Sequence, residues 1–166
     1  MEKVRVLVNG VLSRMGSITA RNVLRNEEMH LIPVSIAPCG TYRKTSINQV
    51  AISLIDPSSV DANLVQSTPL FNHGRADVIV DFSPNSFFRT KIPNYMDAKT
   101  SYILSSTSDR GDIEKMSKMI KGLGINIALL PENSSEQDVL ETIMFLYKKN
   151  EAGIFGEIFS LVDVAA

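Results

Sequence analysis

Thirteen residues near the start of the chain combine a run rich in β-branched side chains with two glycines six positions apart. They read Val4-Arg5-Val6-Leu7-Val8-Asn9-Gly10-Val11-Leu12-Ser13-Arg14-Met15-Gly16. The apolar run ends at Gly10, where the backbone can turn sharply and approach a ligand closely. A helical pattern then begins, and its first unpaired N–H groups suit a pyrophosphate. Gly16 is one helical turn before Ala20 and in phase with Val23 and Leu24, so it can lie close against a sheet. Strand, tight turn and helix together are the opening of a dinucleotide-binding βαβ unit. The glycine spacing is incomplete, because Ser13 stands where a third glycine would fall. Short glycine-bearing turns of this kind also occur in α/β proteins that bind no nucleotide.

Three other polar clusters follow apolar runs and so fall just beyond expected strands. These are Asp81-Phe82-Ser83, Ser105-Ser106-Thr107-Ser108 and Pro131-Glu132-Asn133-Ser134-Ser135. In a parallel sheet such clusters converge on one rim, outside the carboxyl ends of the strands, where ligands bind. The dinucleotide reading therefore rests on several loops rather than one.

The elements that must hold these clusters alternate along the chain. After the first helix, Met29 to Ala37 reads as a second buried strand, interrupted by Pro33. The acidic residue that often binds ribose hydroxyls at the end of this strand is absent. Ala37-Pro38 stands there, and the next charges are Arg43 and Lys44. This favours a 2′-phosphate, hence NADPH over NADH, unless residues 41–44 are only a solvated loop. Residues 46–55 look like an extended arm or short strand. Asp56-Pro57 opens a short helix to about Gln66. Strands are expected at 77–82, 102–106 and 125–130, and helices after Ser83-Pro84 and over 109–123. In the latter, Ile113, Met116, Ile120 and Leu123 form one face and Lys115, Lys118 and Lys121 the other. Ser134 with Gln137 resembles a capping box for a helix whose buried face is Val139, Leu140, Ile143, Met144 and Tyr147. Ile158 to Val164 reads as a final apolar strand with an edge to cover. The pattern is α/β, a Rossmann-type doubly wound parallel sheet.

Composition narrows the function classes. The chain has 166 residues, enough for one domain with a real core, and a formal net charge of −1. Scattered basic residues give no electrostatic case for nucleic acid or an anionic membrane. The single cysteine, Cys39, cannot form an internal disulfide, which fits a reducing compartment. His30 and His73 have no cysteine cluster nearby, so no metal site is expected. No apolar run is long enough to span a membrane. No transit peptide precedes the first strand, so the expected location is cytoplasmic, or the plastid stroma for a plant protein.

Taken together, these clusters resemble the dihydrodipicolinate reductase (4-hydroxy-tetrahydrodipicolinate reductase) family, closest to its plant-type branch, which acts in the diaminopimelate route to lysine. The family's opening motif has the form V-x-V-x-G-x-x-G-[RK]-M-G, matched by Val6 to Gly16 except for Ser13. Its D-[FY]-[TS] is matched by Asp81-Phe82-Ser83, and its G-T-T-G loop falls on Ser105 to Ser108, with Thr107 identical. Its hinge segment falls near Pro131 to Ser134. The resemblance implies cofactor contacts from Gly10, Val11, Leu12, Ser13, Arg14, Met15, Phe82, Ser83, Ser105, Ser106, Thr107 and Asn133. It also implies a cofactor domain over residues 1–152, with 153–166 the first strand of a second, substrate and tetramerisation domain.

The departures are as telling. The family's His-bearing motif and its substrate-binding Lys have no counterpart before Ala166. A chain truncated there is expected to have no catalytic residues and no reductase activity. Its expected cofactor is NADPH, with NADH as the alternative, held weakly or lost. Serines at 105 and 108 add side chains beside the nicotinamide, and Ser13 adds one near the pyrophosphate unless its hydroxyl bonds the phosphate. Each clash costs on the order of 1–3 kcal/mol, and three would remove roughly two to four decades of affinity. The competing readings are a non-catalytic binding or assembly module, pairing with a copy of itself or a full-length paralogue through the terminal strand, and a fragment of an active reductase.

Overall fold

A computed structural model describes residues 2–37, 43–56, 76–82, 100–105, 118, 121–122, 124–131 and 133–166. Six parallel strands form the main sheet. They are β1 (Val4–Asn9), β2 (Met29–Leu31), β6 (Val78–Asp81), β7 (Ser101–Ser105), β8 (Ile127–Leu130) and β9 (Ile158–Ser160), in the order β2-β1-β6-β7-β8-β9. The chain leaves β1 on one side for β2 and on the other for β6. That reversal makes the gap beyond β1 and β6 the topological switch point, where ligands of open α/β sheets bind.

Alternating side chains of these strands feed two cores. Val4, Val6, Val8, Val78, Val80, Ile103, Ala128 and Leu130 face one side. Helix α1 (Arg14–Arg25) covers them with Ala20 and Val23, and α2 (Glu136–Glu151) with Val139, Ile143 and Leu146. Leu7, Ile79, Tyr102, Leu104 and Ile127 form the core on the opposite face. The near-continuous burial of β1 and β6 is what a parallel sheet with two covered faces requires. The helices expected after Asp56 and Ser83 and over 109–123 lie outside the described residues, apart from exposed Lys118, Lys121 and Gly122.

Four expectations need correction. The single strand over Met29–Ala37 is two strands in two sheets. β2 follows β1 only until Ile32 N donates to Val6 O at 2.8 Å. Pro33, which has no N–H, then lets the chain leave the ladder. Beyond it β3 (Val34–Ile36) joins a second sheet of order β3-β5-β4, with β4 (Lys44–Ile47) and β5 (Val50–Ile55). The extended arm over 46–55 is thus a hairpin. Its turn residues Asn48 and Gln49 have φ of 47° and 70°, the positive pair that matches strand twist.

The cap of α2 is one residue later than expected. Ser135 Oγ accepts from Asp138 N at 3.0 Å, and Asp138 Oδ2 accepts from Ser135 N at 2.9 Å. Ser134 instead donates to Pro131 O at 2.6 Å. Lastly, the apolar segment 158–164 is a strand only to Ser160. Asp163 Oδ2 then accepts from Ser160 N at 2.6 Å, starting the short helix α3 (Leu161–Ala165), on which Val162 is 78% exposed. The edge strand is held by a T-shaped contact of Phe159 with Phe145 of α2, centroids 4.9 Å apart, with Lys149 Nζ 5.1 Å from the Phe145 ring centroid.

Candidate functional site

The turn after β1 is built around the approach of two glycines. Gly10 has a φ of 74°, which an L side chain rarely adopts. Gly16 is buried against it. A Cβ at Gly16 would collide with Gly10 O, lie 2.7 Å from its carbonyl carbon and 2.9 Å from Ser13 Oγ. Only glycine allows α1 to start this close to the end of β1.

Ser13 caps the helix. Its backbone is extended, with φ −76° and ψ 161°, so the position does not need glycine. The hydroxyl donates to Gly10 O at 2.7 Å and accepts from Gly16 N at 3.0 Å. It is thereby tied back inside the turn. Gly10 N, Val11 N and Ser13 N are also used, by Ile36 O, Ser35 Oγ and Gly10 O respectively. Among the described residues the N–H groups of Leu12, Arg14 and Met15 find no such acceptor. Three amides at a helix start, with the helix dipole behind them, are an arrangement that can hold an anion. Leu12 and Arg14 are exposed there, and Met15 is half-buried.

The other expected site residues fall on the same rim as far as they are described. Phe82 N donates to Asn9 O at 3.2 Å, which puts Phe82 beside the turn. Ser105 ends β7, two strands from β1. Asn133 is exposed just past β8. With neighbouring strands about 4.8 Å apart, it lies roughly 14 Å along the rim from Gly10. Ser83, Ser106 and Thr107 lie outside the described residues. Arg43 and Lys44 lie at the start of β4, two strands from β3 in the second sheet. β4 runs antiparallel to β5, so Lys44 pairs with Ser53 near the end where Ala37 N meets Ile55 O. That end of the second sheet adjoins Gly10 through Ile36.

Of three buried polar residues beneath this rim, sequence reading passed over Asn9 and Ser35, and placed Asp81 at the end of a strand. Asn9 and Asp81, the last residues of β1 and β6, face each other in register, at 0% and 5% exposure. Ser35 is buried in the middle of β3. The signal was available: each is a polar residue next to a run of apolar strand residues, and buried polar groups need a reason.

The family model "Dihydrodipicolinate reductase, N-terminus" matches residues 4–129. The chain belongs to the dihydrodipicolinate reductase family. What it matches is the N-terminal domain, and the Rossmann-like sheet agrees with that assignment. It is 26% identical over 135 residues to a 4-hydroxy-tetrahydrodipicolinate reductase from Methanothermobacter thermautotrophicus. That alignment covers 77% of this chain and 47% of the relative, so the chain spans about half the length of the curated relative it matches. In fold it is similar to two double mutants of a Serratia marcescens short-chain dehydrogenase/reductase, at TM-scores of 0.60 and 0.59. Identity to each is 12%, with 99% of this chain and 98% of theirs covered. Among the described residues no helix is long and apolar enough to cross a membrane.

Proposed function

We propose that this chain is the pyridine-nucleotide-binding part of a dihydrodipicolinate-reductase-like protein of lysine biosynthesis, taking NADPH in preference to NADH. The observation that carries the reading is the Gly10–Gly16 contact at the switch point, with the amides of Leu12, Arg14 and Met15 turned to the helix start. Gly10 to Met15 would hold the pyrophosphate, Arg43 and Lys44 the 2′-phosphate, and Phe82, Ser83, Ser105, Ser106, Thr107 and Asn133 the nicotinamide side. The bound cofactor would supply the hydride for reduction of a cyclic imine. This chain's residues bind and orient it.

Binding is weaker than glycine-lined loops would give, through Ser105 and Ser108. Ser13 does not add to the loss, since its hydroxyl is already engaged within the turn. Residues 1–152 form the cofactor domain and 153–166 lead into a second one, as in the plant-type branch. The 166 residues contain no match to the family's His and Lys motifs, so the purified chain turns over no substrate. Calorimetric titration with NADPH and NADH tests the proposal. A Kd in the micromolar to millimolar range is expected, tighter for NADPH, and no heat with either up to millimolar cofactor ends it.

An assembly role has one observation in its favour: β9 is the outermost strand of the main sheet, followed by exposed Val162. Light scattering decides it. A strict monomer at all concentrations removes a partner copy from the account.

A further inference from the structure

Asn9 ends β1 with a side chain that is wholly buried. Its Oδ1 accepts the N–H of Ile36 at 3.1 Å, while Gly10 N donates to Ile36 O at 2.9 Å. One residue of β3 is thus gripped through both its polar backbone groups, as a neighbouring strand would grip it, except that a side-chain amide stands in for one peptide. Val11 N adds a third bond, to Ser35 Oγ at 3.1 Å. Nδ2 of Asn9 finds no acceptor among the described residues. A buried donor left unmet is costly, so the residue is explained by what Oδ1 does. A serine here would be too short to reach Ile36.

The grip joins two sheets. After Pro33 the chain is no longer in the β1–β2 ladder, and β3 carries β5 and β4 with it. The anion cradle belongs to the first sheet, and Arg43 and Lys44 belong to the rim of the second. A nucleotide with a 2′-phosphate must be held at both places at once. The spacing between them is set where Asn9, Gly10 and Val11 bond Ile36 and Ser35 of β3.

We propose that Asn9, supported by Ser35, is a positioning residue that sets the preference for NADPH over NADH, by fixing the basic rim of the second sheet against the pyrophosphate turn. This deepens the cofactor reading above and rests on it. Asn9 acts through β3 and contacts no phosphate.

The test is a double-mutant cycle read by calorimetry. NADPH and NADH are titrated into the wild-type chain, Asn9→Ala, the pair Arg43→Ala/Lys44→Ala, and the triple variant. Asn9→Ala should lower the NADPH:NADH affinity ratio about tenfold while NADH affinity changes less than about twofold; in the background lacking both charges, Asn9→Ala should move the ratio by less than about twofold. Equal weakening of both cofactors, or an Asn9→Ala effect on the ratio that persists in full in the background lacking both charges, overturns the proposal. Wild-type chain that binds neither cofactor removes the cofactor reading and this inference with it. Wild-type binding with an unchanged ratio in Asn9→Ala removes the inference alone. Should Asn9→Ala not fold, Ser35→Ala gives the same pattern at about threefold. Hydrogen exchange of the wild-type Ile36 amide then adds a second reading. NADPH should slow it more than NADH does at equal saturation, and equal slowing overturns the proposal.

Discussion

Two buried asparagines mark the two ends of the main sheet, and they are used very differently. Asn126, just before β8, spends its whole amide. Nδ2 donates to Asn150 Oδ1 at 3.0 Å and to Ile154 O at 2.7 Å, and Oδ1 accepts from Glu157 N at 3.0 Å. Asn150 extends the network to Ser101 Oγ at 3.0 Å. A saturated network of this kind locks one packing arrangement, here the return of the chain from α2 into β9. The Asn9 side chain, at the carboxyl end, makes one bond and leaves a donor unmet among the described residues. The amino end is finished as structure. The carboxyl end keeps unspent amides and a tight glycine contact that stability alone does not need. Unspent polar groups at a switch point are where a ligand site is expected.

The largest expected effect is at the carboxyl end. Gly16→Ala puts a methyl group into Gly10 O and its carbonyl carbon, both backbone and unable to swing aside. α1 must shift away from β1, at a cost of about 3 kcal/mol. Urea unfolding should show the loss, and cofactor heat should vanish even where the variant remains folded. Retained binding would mean that the close approach does not shape the cradle. The matching change at the other end is Asn126→Ala. It removes the partners of Glu157 N and Ile154 O and one donor to Asn150 Oδ1, for about 2–3 kcal/mol of stability. Cofactor Kd, measured on the folded fraction, should be unchanged. If Asn126→Ala weakens binding as much as Gly16→Ala does, the two ends are not separable.

The same contrast explains what could be read in advance. The main sheet was legible because β1, β6, β7 and β8 are short apolar runs each followed by a polar cluster, and period and punctuation agree. The rim was legible for the same reason, since Gly10, Phe82 and Asn133 follow strands and Ser105 ends one. The second sheet was not. Pro33 signalled an interruption, but whether β3 resumes beside β1 or turns to β5 depends on Asn9 and Ser35, whose partners are 24 to 27 residues away in sequence. The last segment misled because Leu161, Val162 and Val164 carry β-prone side chains. Local capping by Asp163 overrides that preference. Ser135 displaced Ser134 as cap because two adjacent serines offer the same oxygen, and only the one three residues before Asp138 can be paid back by a carboxylate.

Ser13 gives a smaller effect and separates capping from ligand binding at the carboxyl end. Ser13→Ala loses the bonds to Gly10 O and Gly16 N and should cost about 1 kcal/mol, whereas Ser13→Gly, which restores the family's glycine, should cost only a few tenths. Both should leave NADPH affinity within about threefold, because the hydroxyl is committed inside the turn. A Ser13→Gly variant that binds NADPH tenfold more tightly would show instead that the side chain obstructs the cofactor.

The smallest effect is at the amino end and appears only in alkali. Burial pushes the Tyr147 phenol above its ordinary value of 10.0, and the carboxylates of Glu151, Asp77 and Glu2 push the same way, as does a hydrogen bond to Glu151. A phenolate formed there would face three like charges and lose water. A raised folded-state pKa means the neutral form is favoured by folding. Its stabilisation is full below pH 10 and is lost as pH rises through the higher folded-state value. Wild-type chain should therefore lose urea stability faster than Tyr147→Phe, which has no proton to lose, as pH rises above 10. The two should run parallel below pH 9, and Tyr147→Phe should leave the NADPH:NADH ratio untouched. Parallel curves throughout would show that this phenol is no more protected folded than unfolded. A shifted cofactor ratio would show that the amino end of the sheet reaches the rim after all.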